Sequence, residues 1–255
     1  QTWSGNITNF ASGEHIVKSG NGTVVLGGSN SYLAKTFVNA GTLLVNGTHI
    51  QSSAGEGGGS TTNGLYVVAD GATLGGTGRI SGNASAANSA MVLVTSNGFV
   101  APGASIGTLT LDGTNISGTG SSVLNMASGA TFKFELAGDG TTADQIAFWN
   151  YVNGDFKLNS NPIDLTLLGT QVGGTYTVSL FKFYSDSGTT LTGSGISSGL
   201  TINNGAGITN TSLNYNSGGN SIDLTYDVVP EPSTLALLGL GGIALAAYRL
   251  RRRNR

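Results

Sequence analysis

A short unit of glycine, threonine and an aliphatic or aromatic residue returns along this chain, and it limits the fold more than any other feature. It stands at Gly22-Thr23-Val24, Gly41-Thr42-Leu43, Gly71-Ala72-Thr73-Leu74, Gly107-Thr108-Leu109 and Gly129-Ala130-Thr131-Phe132. Short aliphatic and β-branched runs closed by Gly or Asn-Gly, as in residues 22–28 and 36–47, are strands ended by tight turns. The glycines advance by 19, 30, 36 and 22 positions. Those intervals fit a coil of about 20 residues, taken singly with inserted loops or two at a time, in a solenoid of stacked coils. One insertion reads directly: residues 51–64, QSSAGEGGGSTTNG, have almost no apolar content and predict a flexible surface loop.

Composition agrees with turn-rich β structure. The 255 residues include 42 glycines and 4 prolines, and only 9% are charged, so helices will be scarce and Ser, Thr, Asn and Gly must cover the surface. Recurring Val, Ile and Thr with low net charge argue against disorder. The absence of cysteine excludes a disulfide scaffold and thiolate metal sites, and two histidines leave little for zinc. Neither a metal nor any other cofactor is expected.

Charge is unevenly placed. Five of the eleven basic residues, Arg249, Arg251, Arg252, Arg253 and Arg255, fall in the last seven positions. Residues 1–231 hold six basic against thirteen acidic residues, a net charge of −7. Six scattered cations in an acidic body make no stripe for phosphates, so a nucleic-acid partner is not expected.

The tail predicts a membrane anchor. Residues 233–248, STLALLGLGGIALAAY, are uncharged and carry Leu235, Leu237, Leu238, Leu240, Ile243 and Leu245. As a helix they would span about 24 Å. That is short of the ~30 Å hydrocarbon core, so the segment suits a temporary anchor helped by snorkelling arginines. The five arginines stay cytoplasmic by the positive-inside rule, which places residues 1–229 on the opposite side.

The junction before it, Val229-Pro230-Glu231-Pro232-Ser233-Thr234, followed by the apolar run and the arginines, closely resembles the PEP-CTERM sorting signal of bacterial exported proteins. The resemblance implies recognition of Pro230, Glu231 and Pro232 by a membrane-embedded exosortase, a cut nearby, and transfer to another surface component. The two prolines lack backbone donors and hold the peptide extended, which suits a processing enzyme. The sequence opens Gln1-Thr2-Trp3-Ser4-Gly5 without a leader, so the expectation is a mature chain or a fragment.

A second resemblance lies in residues 23–47 and 70–111. The words GTVVLGGSNSY, VNAGTLLVNG, GATLGGTGRISG and FVAPGASIGTLTL are similar to the autotransporter-associated β-strand repeat, whose members form rungs of a right-handed parallel β-helix. Leu33-Ala34-Lys35 departs from the family's usual threonine and glycine and implies an irregular turn there. Stacked at the usual ~4.8 Å strand spacing, inward Val, Leu and Ile would form ladders, with Gly, Asn and Thr at the corners.

Residues 130–228 predict longer strands over 131–136, 145–151, 163–168, 176–184, 213–215 and 222–228, several with the polar and apolar alternation of one-face-buried strands. The expected organisation is all-β: β-helix repeats over 1–129, a β-helix end and cap or a small β-sandwich over 130–228, and the sorting signal with a single hydrophobic helix over 229–255.

Candidate chemistry is sparse. Asp139, Asp144, Asp155 and Asp164 fall within 26 positions and could supply an acid and a base for glycoside cleavage, or gather calcium. Turn dipeptides such as Asp139-Gly140 and Gly154-Asp155 give the plainer reading of closed loops. His15 and His49 read as exposed strand-end residues. Trp3, Tyr66, Trp149, Tyr151 and Tyr184 would stack on sugars only if they shared a face, and otherwise pack in the core or at corners. Ser105 fits Gly-x-Ser-x-Gly, yet no histidine follows His49, so a triad is rejected.

The leading reading is a non-catalytic, exported cell-surface or extracellular-matrix protein: a rigid β-helix spacer, anchored briefly in the inner membrane and processed by an exosortase. The resemblance implies exopolysaccharide as a matrix partner. The alternative is a polysaccharide-active or polysaccharide-binding β-helix with carboxylates on one sheet face.

Overall fold

The computed structural model describes residues 1–8, 14–51, 64–82, 89–114, 116, 119–150, 155–184 and 200–229. These hold twenty-two strands and no helix. The strands form three sheets, and the chain visits them in the same order, coil after coil. A coil opens on the second sheet at Ile16–Lys18, continues on the first at Thr23–Leu26 and closes on the third at Ser29–Asn30. Later coils open at Thr36, Gly64, Ala90, Ser122 and Asp155, advancing 20 to 33 residues each time. Every strand pair between these coils is parallel, the arrangement of a parallel β-helix.

The corner between the second and first sheets explains part of the glycine content. In all six coils one residue there takes a left-handed backbone: Gly20, Gly41, Gly71, Asn97, Gly129 and Ser160, with φ between 54° and 85°. Glycine and asparagine tolerate this conformation best. The threonines Thr23, Thr42 and Thr73 then open strands of the first sheet in direct register. Gly107-Thr108-Leu109 does not belong to this series. It opens Thr108–Asp112 on the third sheet, and the fourth coil turns its corner at Asn97 before Phe99. The intervals of 36 and 22 positions therefore do not measure coils.

A different constraint acts at the corner between the first and third sheets. Gly28, Gly47 and Gly78 stack there, and a Cβ on each would fall far inside van der Waals contact with a carbonyl oxygen of the coil before: Gly5, Gly28 and Gly47 respectively. Coil-to-coil hydrogen bonds draw these backbones together: Thr48 donates to the Gly28 carbonyl at 3.1 Å and Arg79 to the Gly47 carbonyl at 3.0 Å.

The core is a set of ladders inside the stack. Leu43, Leu74, Val100, Phe132 and Ile163 follow one another across the first sheet, and Ile80, Leu111, Phe148 and Phe183 across the third, all nearly inaccessible to solvent. The later coils enlarge these side chains to aromatics: Phe181 meets Phe132 and Phe134 edge-on at 5.3 Å, and Phe148 stacks on Phe183 at 5.7 Å. Such pairs add to the area they bury.

All three sheets run on past residue 129. Stacking changes character only near the end, where Gly174–Tyr184 pairs in parallel with Gln145–Trp149 but antiparallel with Ser221–Val228, itself antiparallel to Ile208–Asn216. This hairpin covers the third sheet's open edge, a position that would otherwise present unpaired backbone groups. The strand expected over 213–215 is thus longer, Ile208–Asn216, and the one over 145–151 ends at Trp149. Of the expected loop over 51–64, residues 52–63 lie outside the described residues. At its margins Gln51 is buried, its Nε2 donating to the Leu33 carbonyl at 2.6 Å, and Gly64 already begins a strand.

Candidate functional site

The residues expected to sort and anchor the chain are Pro230, Glu231 and Pro232, the apolar Leu235 to Leu245 series and Arg249 to Arg255. All lie outside the described residues, as does the expected hydrophobic helix. The approach to them is described. Ser221–Val228 is held on both sides, Val228 registering with Gly174 on one strand and Ile208 on the other. The next N–H, of Val229, donates to the Gly207 carbonyl at 2.9 Å. Val229 is 52% exposed. The described body thus ends at Val229, one position before Pro230 in the sequence.

A groove of about 630 Å³ opens on the outer face of the first sheet. Glu135, Asp144 and Asp164 line one end, with Lys133 beside them and Thr23, Thr42 and Thr73 along the other. Asp144 reaches it from an excursion after Thr131–Ala137, in which Leu136 and Ala143 pair antiparallel. The Asp144 side chain is buried, Oδ1 accepting the Gly107 N–H and Oδ2 the Glu135 N–H, both at 2.8 Å. Burial pushes its carboxyl up to about 7 and the charge of Glu135 adds to the rise, against the two backbone donors, which pull it down.

The four aspartates are not gathered. Asp144 and Asp164 line the groove, and Asp164 accepts the Asn203 amide at 2.7 Å. Asp139 closes a turn, accepting the Thr141 hydroxyl at 2.7 Å and its N–H at 3.1 Å, which holds its carboxyl below the usual range. Asp155 belongs to a strand of the second sheet. Among the described residues no group of three His, Asp or Glu side chains could hold a metal ion.

The histidines part company. His15 is exposed and meets the edge of Phe37 at 5.2 Å. His49 corrects the expectation of exposure: it is fully buried and stacks on Tyr32 at 3.9 Å. Nε2–H donates to the Tyr32 carbonyl at 3.0 Å, which leaves Nδ1 to accept the Tyr66 hydroxyl at 2.8 Å. Tyr32 in turn shares a 2.7 Å hydrogen bond with Thr36. Burial lowers His49 to about 4. The missed signal is parity: Ile50 is 44% exposed, so its neighbour points inward, in register with Ile80.

The aromatics do not form one platform. Tyr66 is buried, Trp3 is exposed on the first sheet, and Tyr151 lies outside the described residues. Trp149 and Tyr184 do share the third sheet, stacked at 4.7 Å, with the Arg79 guanidinium 5.9 Å from the Trp149 ring centre and held by Asp112 at 2.6 Å. Ser105 is exposed in the loop before Gly107, and His49 is committed to the core.

Comparison with known families gives two matches. Residues 16–45 match the passenger-associated-transport-repeat, and in the structure they make one full coil and the first two strands of the next. Residues 228–253 match the PEP-CTERM protein-sorting motif, beginning at the last residue of the final strand. No curated protein matches the chain with significance. The chain thus carries a passenger-associated-transport-repeat in its first coils and a PEP-CTERM protein-sorting motif from Val228 onward.

Proposed function

We propose that this is an exported, non-catalytic surface protein in which a right-handed β-helix serves as a stiff spacer and the tail as its address. An exosortase would recognise Pro230, Glu231 and Pro232. The helix over residues 233–248 and the arginines after it would hold the chain in the inner membrane until the cut, after which the body joins the cell surface and its exopolysaccharide matrix. The observation that carries this reading is the sorting-motif match at residues 228–253, starting where the last strand ends. The spacer role is supported by continuous parallel stacking of six coils. Mass spectrometry of surface material from cells with an active exosortase is expected to find a new carboxy terminus between Pro230 and Ser233. Full-length protein keeping its arginines in mature envelopes would overturn the reading.

One observation favours a second reading, cleavage of a polysaccharide: Asp144, raised to about 7, stands near Glu135 in the groove. Against it, both Asp144 oxygens are engaged by backbone N–H groups. Release of new reducing ends that stops in Asp144→Asn would favour cleavage; unchanged polymer length favours the spacer.

A further inference from the structure

We infer that the groove on the outer face of the first sheet binds a glycan chain without negative charge, laid along the stack of coils. The inference concerns the folded body alone and does not depend on the sorting reading.

Part of the groove's lining repeats over three coils. Thr23, Thr42 and Thr73 are direct register partners, so their side chains recur at the strand spacing of about 4.8 Å. Their hydroxyls have no hydrogen-bond partner among the described residues. Beside them runs a low, apolar floor. Leu44 and Ala101 line it, in register with one another through Gly75, whose backbone packs so closely against the Ala101 carbonyl that a Cβ would have no room. At the far end Glu135 offers an uncommitted carboxylate among the described residues, and Thr166 a further hydroxyl. The Lys133 ammonium lies 3.5 Å over the Phe99 ring.

These features select a ligand by chemistry. The strands beneath the groove spend their backbone donors and acceptors on the parallel ladder, so a peptide cannot add there as a further strand. What the surface offers is a row of three hydroxyls beside a short apolar strip, ending where Phe99 takes the threonine's place in the fourth coil. A sugar chain matches this with hydroxyls at its ring edges and C–H faces for the floor, the mixture of apolar lining and few placed polar groups common in ligand sites. The carboxylates of Glu135 and Asp164 against one lysine disfavour a polyanion.

The test is isothermal titration of the full chain with hexasaccharides of three kinds: neutral glucans of different linkage, a chitosan hexamer and an anionic alginate hexamer. A neutral glucan or the chitosan hexamer is expected to bind, and the alginate hexamer is not. Removing two hydroxyls in Thr42→Val/Thr73→Val is expected to weaken binding about tenfold. Filling the floor with Ala101→Leu should abolish it, and Thr110→Val on the third sheet should leave it unchanged. Valine suits exposed strand positions, so the double variant remains readable should Ala101→Leu unfold the protein. The inference is overturned if no neutral or amine-bearing hexamer binds, if only alginate binds, or if the double variant binds as well as the unaltered chain.

Discussion

Gly47→Ala is expected to destabilise the protein by about 3 kcal/mol or more, as overpacking against an unyielding partner does. The Cβ would meet the Gly28 carbonyl oxygen and, at 2.6 Å, that of Gly27, and both belong to backbone rather than to a flexible side chain. Relief would need the second coil to move from the first, breaking bonds such as Gly47 N–H to Leu26 O at 2.9 Å. Two comparisons separate this from the general cost of losing a glycine. Gly71, at φ 72° with nothing within 4 Å of an added Cβ, should cost about 1–2 kcal/mol through backbone strain alone. Gly22 has no positive φ and open space, so alanine there should be neutral or stabilising by a few tenths of a kcal/mol, through the unfolded chain. Urea denaturation of the three variants checks the order; equal losses would show that the corner is looser than described.

The second large effect is on pH dependence, where two buried groups act in opposite directions. His49 is lowered from 6.5 to about 4, so its contribution is complete above pH 6.5 and is lost as pH falls, levelling off below about 4. Asp144 is raised from 3.8 to about 7, so its contribution is complete below pH 3.8 and is lost as pH rises, levelling off above about 7. Each slope is about 1.4 kcal/mol per pH unit, so between pH 4 and 6.5 they offset one another. The unaltered protein should therefore show nearly constant stability across that window. In Asp144→Asn the histidine acts alone, and stability should fall by roughly 3 kcal/mol from pH 6.5 to 4. In His49→Gln the slope should reverse. Denaturant midpoints at several pH values check this, and parallel profiles for the two variants would contradict it.

The stacked-coil architecture was legible because its strictest requirements are local. A left-handed corner favours Gly or Asn, with Ser160 the exception among the six, and Gly41, Gly71 and Gly129 stand one or two positions before strand-opening threonines. What was hidden depends on which coil lies above or below. Gly47 and Gly71 look alike in the sequence, yet one is a steric requirement and the other a backbone one. Residues 36–47 read as one apolar stretch but cross two sheets, Thr36–Val38 and Thr42–Val45, around Gly41. Gly107 repeated the word without its place in the coil. The groove was out of reach for the same reason: Asp144 joins Gly107 and Glu135, 37 and 9 positions away, through an excursion whose path only tertiary packing sets. The tail was legible by another route, as an ordered run of tripeptide, apolar stretch and arginines whose meaning needs no tertiary contact.

The division between body and address is tested most directly by ending the chain at Val229 and comparing it with the full chain in cells that have an active exosortase. Both should unfold at the same denaturant midpoint once purified, since Ser221–Val228 keeps both its partners. Only the full chain should be found processed at the cell surface. Equal surface attachment of the shortened chain, or its failure to fold, would contradict the account.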